Sequence, residues 1–389
     1  MKFQVPPKII FSSLFIFFVI AGFSQNDKIE LLENYKDLSP DITAFLKKGR
    51  IATFKKDLAS ELQLKKPAAF NLTFQFENKE WEGVLEKSEL LSKGFFIITG
   101  THPDDKIGNS QPALHYKGTV KGKSHSFAAV SILSDKLVAV ISDEEAGNIN
   151  IGAINLPDAK AASTHIIYRD TDLLLVNEFA CGTDNFINSS TNPIPVYSPL
   201  SIAAATINPE PVDIYFEADY TTYINNSSDV STVVNYVTAL FNVVNTLYEN
   251  DSINTKISAI KVWNTVDPYA GMSTTSSILS AFSGNMAAGF PGDLAHFLSQ
   301  RGIGGGIAYL NVLCGGNSSK TAVSGNLSNS FNTFPTYSWS AMVITHELGH
   351  NLGSPHTQSC SWPGGAIDNC YTTEGGCPQG PAPVTGGTI

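Results

Sequence analysis

The residues best suited to chemistry are three histidines and a glutamate. His346-Glu347-Leu348-Gly349-His350-Asn351-Leu352-Gly353-Ser354-Pro355-His356 fits the pattern H-E-x-x-H-x-x-G-x-x-H at every fixed position. On a helix, His346 and His350 stand four residues apart and share one face, so both imidazoles reach one metal ion. Glu347 stands beside such an ion rather than on it. A left-handed turn at Gly353 would end the helix and send His356 back to the same ion. Three neutral imidazoles leave one position of a tetrahedral Zn²⁺ open for water, as in a catalytic site rather than a closed structural one. Zinc lowers the pKa of bound water from about 15.7 to about 7, which makes a hydroxide-like nucleophile available at neutral pH. Glu347 is placed to accept the water proton and pass it to a leaving amine. A bare H-E-x-x-H also arises by chance on amphipathic helices with ordinary histidines; Gly353 and His356 tip the balance toward metal.

The elements that must position these groups can be read outward from the motif. Ser340-Ala341-Met342-Val343-Ile344-Thr345 is apolar enough for a buried helix leading into it. From Val212, strand and helix patterns alternate. They give a strand over Asp213 to Ala218, a long helix over Asp229 to Tyr248, a strand over Ile257 to Trp263 and a short helix over Ser276 to Phe282. A further helix over Asp293 to Gln300 and a strand over Gly306 to Val312 follow. This alternation predicts an α/β layer with a largely parallel sheet and the motif helix lying against it. The strand near Gly306 to Asn311 is a candidate edge for pairing with an extended peptide.

The preceding half has a different texture. Asp27 to Lys66 reads as partly helical, with Leu31, Leu32, Tyr35 and Leu38 near a 3.6-residue period. From Ala69 the runs are β-type: Phe70 to Phe76, Gly94 to Thr99, Ser126 to Leu133, Leu137 to Ser142, Ile149 to Ile154, His165 to Tyr168 and Leu173 to Val176. Residues 25–188 are therefore expected to form a β-rich domain, and 212–389 a second one. Residues 189–211, with Pro193, Pro195, Pro199, Pro209 and Pro211, read as an exposed linker. His102, His115, His125, His165 and His296, the last on a predicted helix, lack ligand spacing and read as surface or packing histidines.

With 389 residues and 42% apolar content, the chain can build two globular cores. A formal charge of -10 argues against nucleic acid or an anionic membrane surface as partner. Lys2 and Lys8 precede the apolar run Ile9 to Ile20, and Gly22-Phe23-Ser24 offers small residues for cleavage, so residues 1–24 read as a secretory signal peptide. No later stretch is expected to cross a bilayer. Export permits disulfides. Cys314, Cys360, Cys370 and Cys377 could form two bridges in any of three pairings, and the sequence does not choose among them. Oligomeric state is left open.

Cys181, in Glu178-Phe179-Ala180-Cys181-Gly182-Thr183-Asp184, stands apart. It reads either as a disulfide partner or small buried hydrophobe, or as a thiolate that fills the fourth zinc position and excludes water.

The extended motif resembles the metzincin clan of zinc endopeptidases, and the whole chain looks most like the adamalysin (reprolysin) family. His115-Tyr116-Lys117-Gly118-Thr119-Val120-Lys121-Gly122, followed by Ser131 and Leu137 to Ile141, is similar to the hairpin and strand pair of adamalysin-type propeptides. The order Cys-Gly-x-Asp at Cys181 resembles the cysteine switch of metzincin propeptides, although Phe179 and Ala180 replace its usual basic and proline residues. Asp213 and Asp293 fall where the family places carboxylate ligands of a calcium ion; Asp293 could equally cap a helix after Pro291-Gly292. Two departures stand out. Thr357 follows the third histidine where adamalysins usually have Asp, and none of the 33 residues after His356 is methionine, so the family's methionine turn is missing and a longer natural chain is expected. The resemblance implies a secreted, latent zinc endopeptidase acting on proteins or peptides, with zinc on His346, His350 and His356 and Glu347 as general base. Its rival is a zinc-stabilised exported binding module or adhesin, which would not need Glu347.

Overall fold

The structure, a computed structural model, describes residues 27–109, 112–154, 164–174, 181–183, 210–327 and 336–382. The expected signal peptide and residues 189–209 of the expected linker lie outside them. In the first half the described elements are β1 (Lys28–Ile29), β2 (Leu32–Lys36), α1 (Pro40–Thr43), β3 (Arg50–Phe54), α2 (Lys56–Lys65), β4 (Ala69–Phe76), β5 (Lys79–Lys87), β6 (Leu91–Thr99), β7 (Leu114–Val120), β8 (Ser126–Ile132), β9 (Leu137–Asp143), β10 (Gly147–Ala153) and β11 (Thr164–Arg169). The second half holds β12 (Val212–Ala218), α3 (Tyr220–Asn225), α4 (Val230–Asn250), β13 (Thr255–Val262), α5 (Thr275–Met286), β14 (Leu294–Leu298), β15 (Gly306–Ala308), β16 (Thr321–Ser324) and α6 (Tyr337–Leu352).

Ten strands of the first half form one sheet in the order β1-β4-β5-β7-β8-β9-β10-β11-β3-β2, antiparallel except for the β1–β4 pair. All ten send side chains into one core, shared with Ala59 and Leu62 of α2, so the sheet must curl around that core. Period-two alternation shows how. In β8, Ala128, Val130 and Ile132 point into this core, while Ala129 points out toward the second half; in β9, Leu137, Ala139 and Ile141 point in and Val140 points out. Both faces of these strands are apolar because α4 covers the outer one.

The second sheet runs β15-β16-β14-β12-β13-β6, parallel throughout except for the edge strand β15. Its outer member β6 comes from the first half: Ala259 pairs with Phe96 and Val262 with Thr99. The two halves therefore share a sheet. They also share α4, which Asp229 caps by accepting from the Thr232 backbone N–H at 2.7 Å. Val233, Val237, Leu240, Phe241 and Val244 fill the core over the second sheet, while Asn242 donates to the carbonyls of Tyr116 and Val130 on the first. By length and hydropathy α4 could cross a membrane, contrary to expectation. Here it is an internal helix between two sheets, and its buried asparagines 235, 242 and 245 have hydrogen-bond partners.

Two expectations fail. Asp293 to Gln300 is not a helix: Leu294–Leu298 is a central strand, buried at every residue, and a run buried on both faces carries no period to separate it from a helix. Leu31 to Leu38 is not helical either. Leu32–Lys36 pairs with β3, and the helical content of Asp27 to Lys66 is confined to α1 and α2. The strand expected at Leu173 to Val176 is reduced, within the described residues, to a bridge between Leu173 and Leu46. Strand β16 had no distinct signal.

Candidate metal centre

Helix α6 carries His346, Glu347 and His350 beneath the sheet, anchored by Tyr248 of α4, whose hydroxyl donates to the Thr345 carbonyl at 2.7 Å. Gly353 ends it at φ 107°, a left-handed conformation that favours glycine. The helix's last carbonyls are taken up locally: Asn311 donates to His350 and Val312 to Asn351. The reversal brings His356 back. Ring centroids lie 4.6 Å apart for His346 and His350, 5.2 Å for His346 and His356, and 4.8 Å for His350 and His356.

Cys181 completes the group, its Sγ 3.4 Å from His350 Nε2. One donor atom from each of Cys181, His346, His350 and His356 lies within 4.8 Å of the others, the only such His/Cys/Asp/Glu group among the described residues. The donor set fits a zinc ion. His350 Nδ1 lies 2.7 Å from the Ser354 carbonyl, which can only accept, so Nδ1 carries the proton and Nε2 presents a lone pair. That lone pair faces His346 Nε2 at 3.0 Å. Two imidazole nitrogens so placed share either a proton or a cation. Tetrahedral Zn–N bonds of about 2.0–2.1 Å would separate them by roughly 3.3 Å. Burial, reinforced by the other two rings, lowers His346 to about 2, and burial lowers His350 to about 4, so both are neutral donors at physiological pH.

Glu347 is completely buried, and burial pushes its carboxyl well above the usual carboxylate range, an effect the facing Cys181 thiol opposes. It fits because residue 306 is glycine: a methyl group there would overlap the Glu347 carboxylate. Residues 181–183 lie along the edge of β15. Cys181 forms a parallel bridge with Gly306, Gly182 N–H donates to the Gly306 carbonyl at 3.0 Å, and the Ala308 N–H donates to the Thr183 hydroxyl oxygen at 3.2 Å. The edge expected to receive a peptide is thus occupied by this chain's own segment.

Other expectations resolve differently. Asp213 and Asp293 meet at the start of adjacent strands, but Asp293 Oδ2 accepts from the Asp213 backbone N–H at 2.9 Å, and Asp213 Oδ1 accepts from the Ser92 hydroxyl. They form no three-member acidic group, so calcium, which takes six to eight oxygens, has no support here. No helix follows Asp293 for it to cap. His296 sits on β14 rather than a helix, buried, its Nε2 2.7 Å from the Ser324 hydroxyl, with burial lowering it to about 3. One bridge forms, Cys360–Cys377, leaving Cys314 and Cys370 as exposed thiols.

Sequence reasoning missed Glu374, whose Oε1 accepts from His356 Nδ1 at 2.9 Å. It lies 18 residues beyond His356 in a glycine- and cysteine-rich loop, where no periodicity marks it.

An α/β layer with a mostly parallel sheet, an internal helix bearing a three-histidine cluster and an edge strand beside it are consistent with a metallopeptidase domain. Residues 208–385 match the family model Reprolysin_5, metallo-peptidase family M12. The match supports, for this part of the chain, the likeness to reprolysin-like metzincins that the motif carried.

Proposed function

We infer that this chain is the latent form of a secreted zinc endopeptidase. The observation that carries this reading is the coincidence of Cys181 with the three histidines while its neighbours run along β15. Zinc on His346, His350 and His356 would supply a Lewis acid that polarises the scissile carbonyl and acidifies water. Glu347 accepts a proton from that water and returns it to the leaving amine. The backbone groups of Gly306 and Ala308 hold an extended substrate once 181–183 withdraws. Until then the Cys181 thiol takes the place water would need and the segment covers Glu347. The basic and apolar start of the sequence and the Cys360–Cys377 bridge support an exported protein.

One observation favours the rival reading. Four donors, three nitrogens and one sulfur, make the closed set typical of a structural zinc site. The test compares wild type, Cys181→Ala and Cys181→Ala/Glu347→Ala against a broad fluorogenic peptide library, with a zinc count for each. Under the peptidase reading, all three bind one zinc, cleavage rises in the single variant and vanishes in the double. Bound zinc with no cleavage by any variant would replace it with the binding module.

A further inference from the structure

We propose that Glu374 is the positioning residue for the third metal ligand, and that the Cys360–Cys377 disulfide holds it in place. His346 and His350 are aimed by their helix. His356 lies beyond the helix end, where the backbone alone does not fix the rotation of its ring. Its Nδ1 instead meets the Glu374 carboxylate, which can only accept; this holds the proton on Nδ1 and leaves Nε2 for the metal. The adjacent Thr357 donates its hydroxyl to Gln358 Oε1.

The carboxylate is itself fixed from several directions. Gln358 Nε2 donates to the same Oε1 at 2.6 Å. The backbone around it is locked to the strand of residues leaving His356: Cys360 N–H donates to the Glu374 carbonyl at 2.9 Å, Glu374 N–H donates to the Gln358 carbonyl at 3.1 Å, and Ser359 bridges Glu374 in parallel. Trp362 Nε1 donates to the His356 carbonyl at 2.8 Å. Cys360 and Cys377 then close this loop, the bridge beginning four residues after the histidine and ending three after the glutamate. The loop contains no helix and little apolar packing, so the disulfide is the strongest tie keeping carboxylate and ring together. Carboxylates that orient a ligating histidine typically change metal affinity by about 10–100-fold when removed.

This inference rests on the metal-site reading, and a metal-affinity readout separates the two. The experiment measures competition of the full chain against a chromophoric chelator for Zn²⁺, together with the visible spectrum of the Co²⁺-substituted protein, in wild type, Glu374→Ala, Glu374→Gln and Cys360→Ser/Cys377→Ser. Melting curves of the metal-free proteins report on folding. The expected result is a roughly 10–100-fold loss of affinity and an altered Co²⁺ spectrum in Glu374→Ala. The loss should be smaller in Glu374→Gln, whose amide oxygen still accepts from Nδ1, and the disulfide variant should change in the same direction as Glu374→Ala. Equal affinity and identical spectra in wild type, Glu374→Gln and Glu374→Ala would overturn it. So would equal losses in the alanine and glutamine variants that only follow a lowered melting temperature. A wild-type chain that binds no metal would remove the metal site and this role with it.

Discussion

The two sheets of this protein use the same secondary structure for opposite ends. The ten-stranded sheet is almost wholly antiparallel and wraps a core of its own; among the described residues it brings no group of metal-ligand type together. The six-stranded sheet is parallel but for one strand, and that exception, β15, lies against Glu347 and pairs with Cys181 beside the histidine cluster. A parallel sheet buries both faces and must be covered by helices, so it offers few places for polar groups to meet. An antiparallel edge strand supplies one. The first region nevertheless reaches the site through Cys181, Gly182 and Thr183, which pair with β15 by backbone at Cys181 and Gly182 and by the Thr183 hydroxyl.

This contrast can be tested at several strengths. The largest effect should come from Glu347: in a Cys181→Ala background, Glu347→Ala should lower kcat/KM by about 10²–10⁴-fold, while circular dichroism of both regions stays unchanged. Activity surviving that change would move the chemistry elsewhere. Next come the cores. Phe74→Ala in the curled sheet and Phe216→Ala in the parallel one each remove a fully buried ring and should cost about 3–5 kcal/mol. Because β6 and α4 join the regions, calorimetry should show both substitutions shifting one shared transition. Two transitions, each sensitive to only one substitution, would show the regions to be independent.

Metal removal should be smaller and local. A metal held at about 100 times its dissociation constant stabilises by roughly 2.7 kcal/mol. Chelation should therefore speed hydrogen exchange in α6 and the loop after it, and leave β4 and β5 unchanged. The smallest effect is set by pH. Asp170, from the first region, accepts from Ser338 at the start of α6 and from Asn148 and Asn150, and burial raises its pKa above 3.8. A raised carboxyl binds its proton more tightly when folded, so its contribution to stability is present at acid pH and declines as pH rises from 3.8 through the raised folded value. Urea titrations of wild type against Asp170→Asn should show that decline in wild type alone; parallel curves would sink the assignment.

Much of this was legible in the chain. The metal motif specified its own geometry, because helical spacing and a glycine able to adopt positive φ are local properties. Strands β8 to β11 were visible through short apolar runs. What escaped depended on partners distant in sequence. Residues 294–298 looked helical because every side chain is buried, leaving no alternation to read. The run at 94–99 was read as a strand, yet nothing in it says that its neighbour is β13, some 160 residues on. Residues 31–38 kept a helical period that pairing with β3 overrode. Glu374 could not be found by spacing, since a disulfide loop brings it to His356.

The strand lent by the first half to the second changes what proteolysis of the chain can accomplish. Breaking the backbone between residues 183 and 210 severs one covalent connection, but β6 remains hydrogen-bonded along β13 and α4 remains packed between the sheets. A nicked molecule would be a non-covalent heterodimer, with residues 181–183 held at high effective concentration beside the histidine cluster. Separating residues 181–183 from β15 is therefore a matter of dissociation as much as of cleavage.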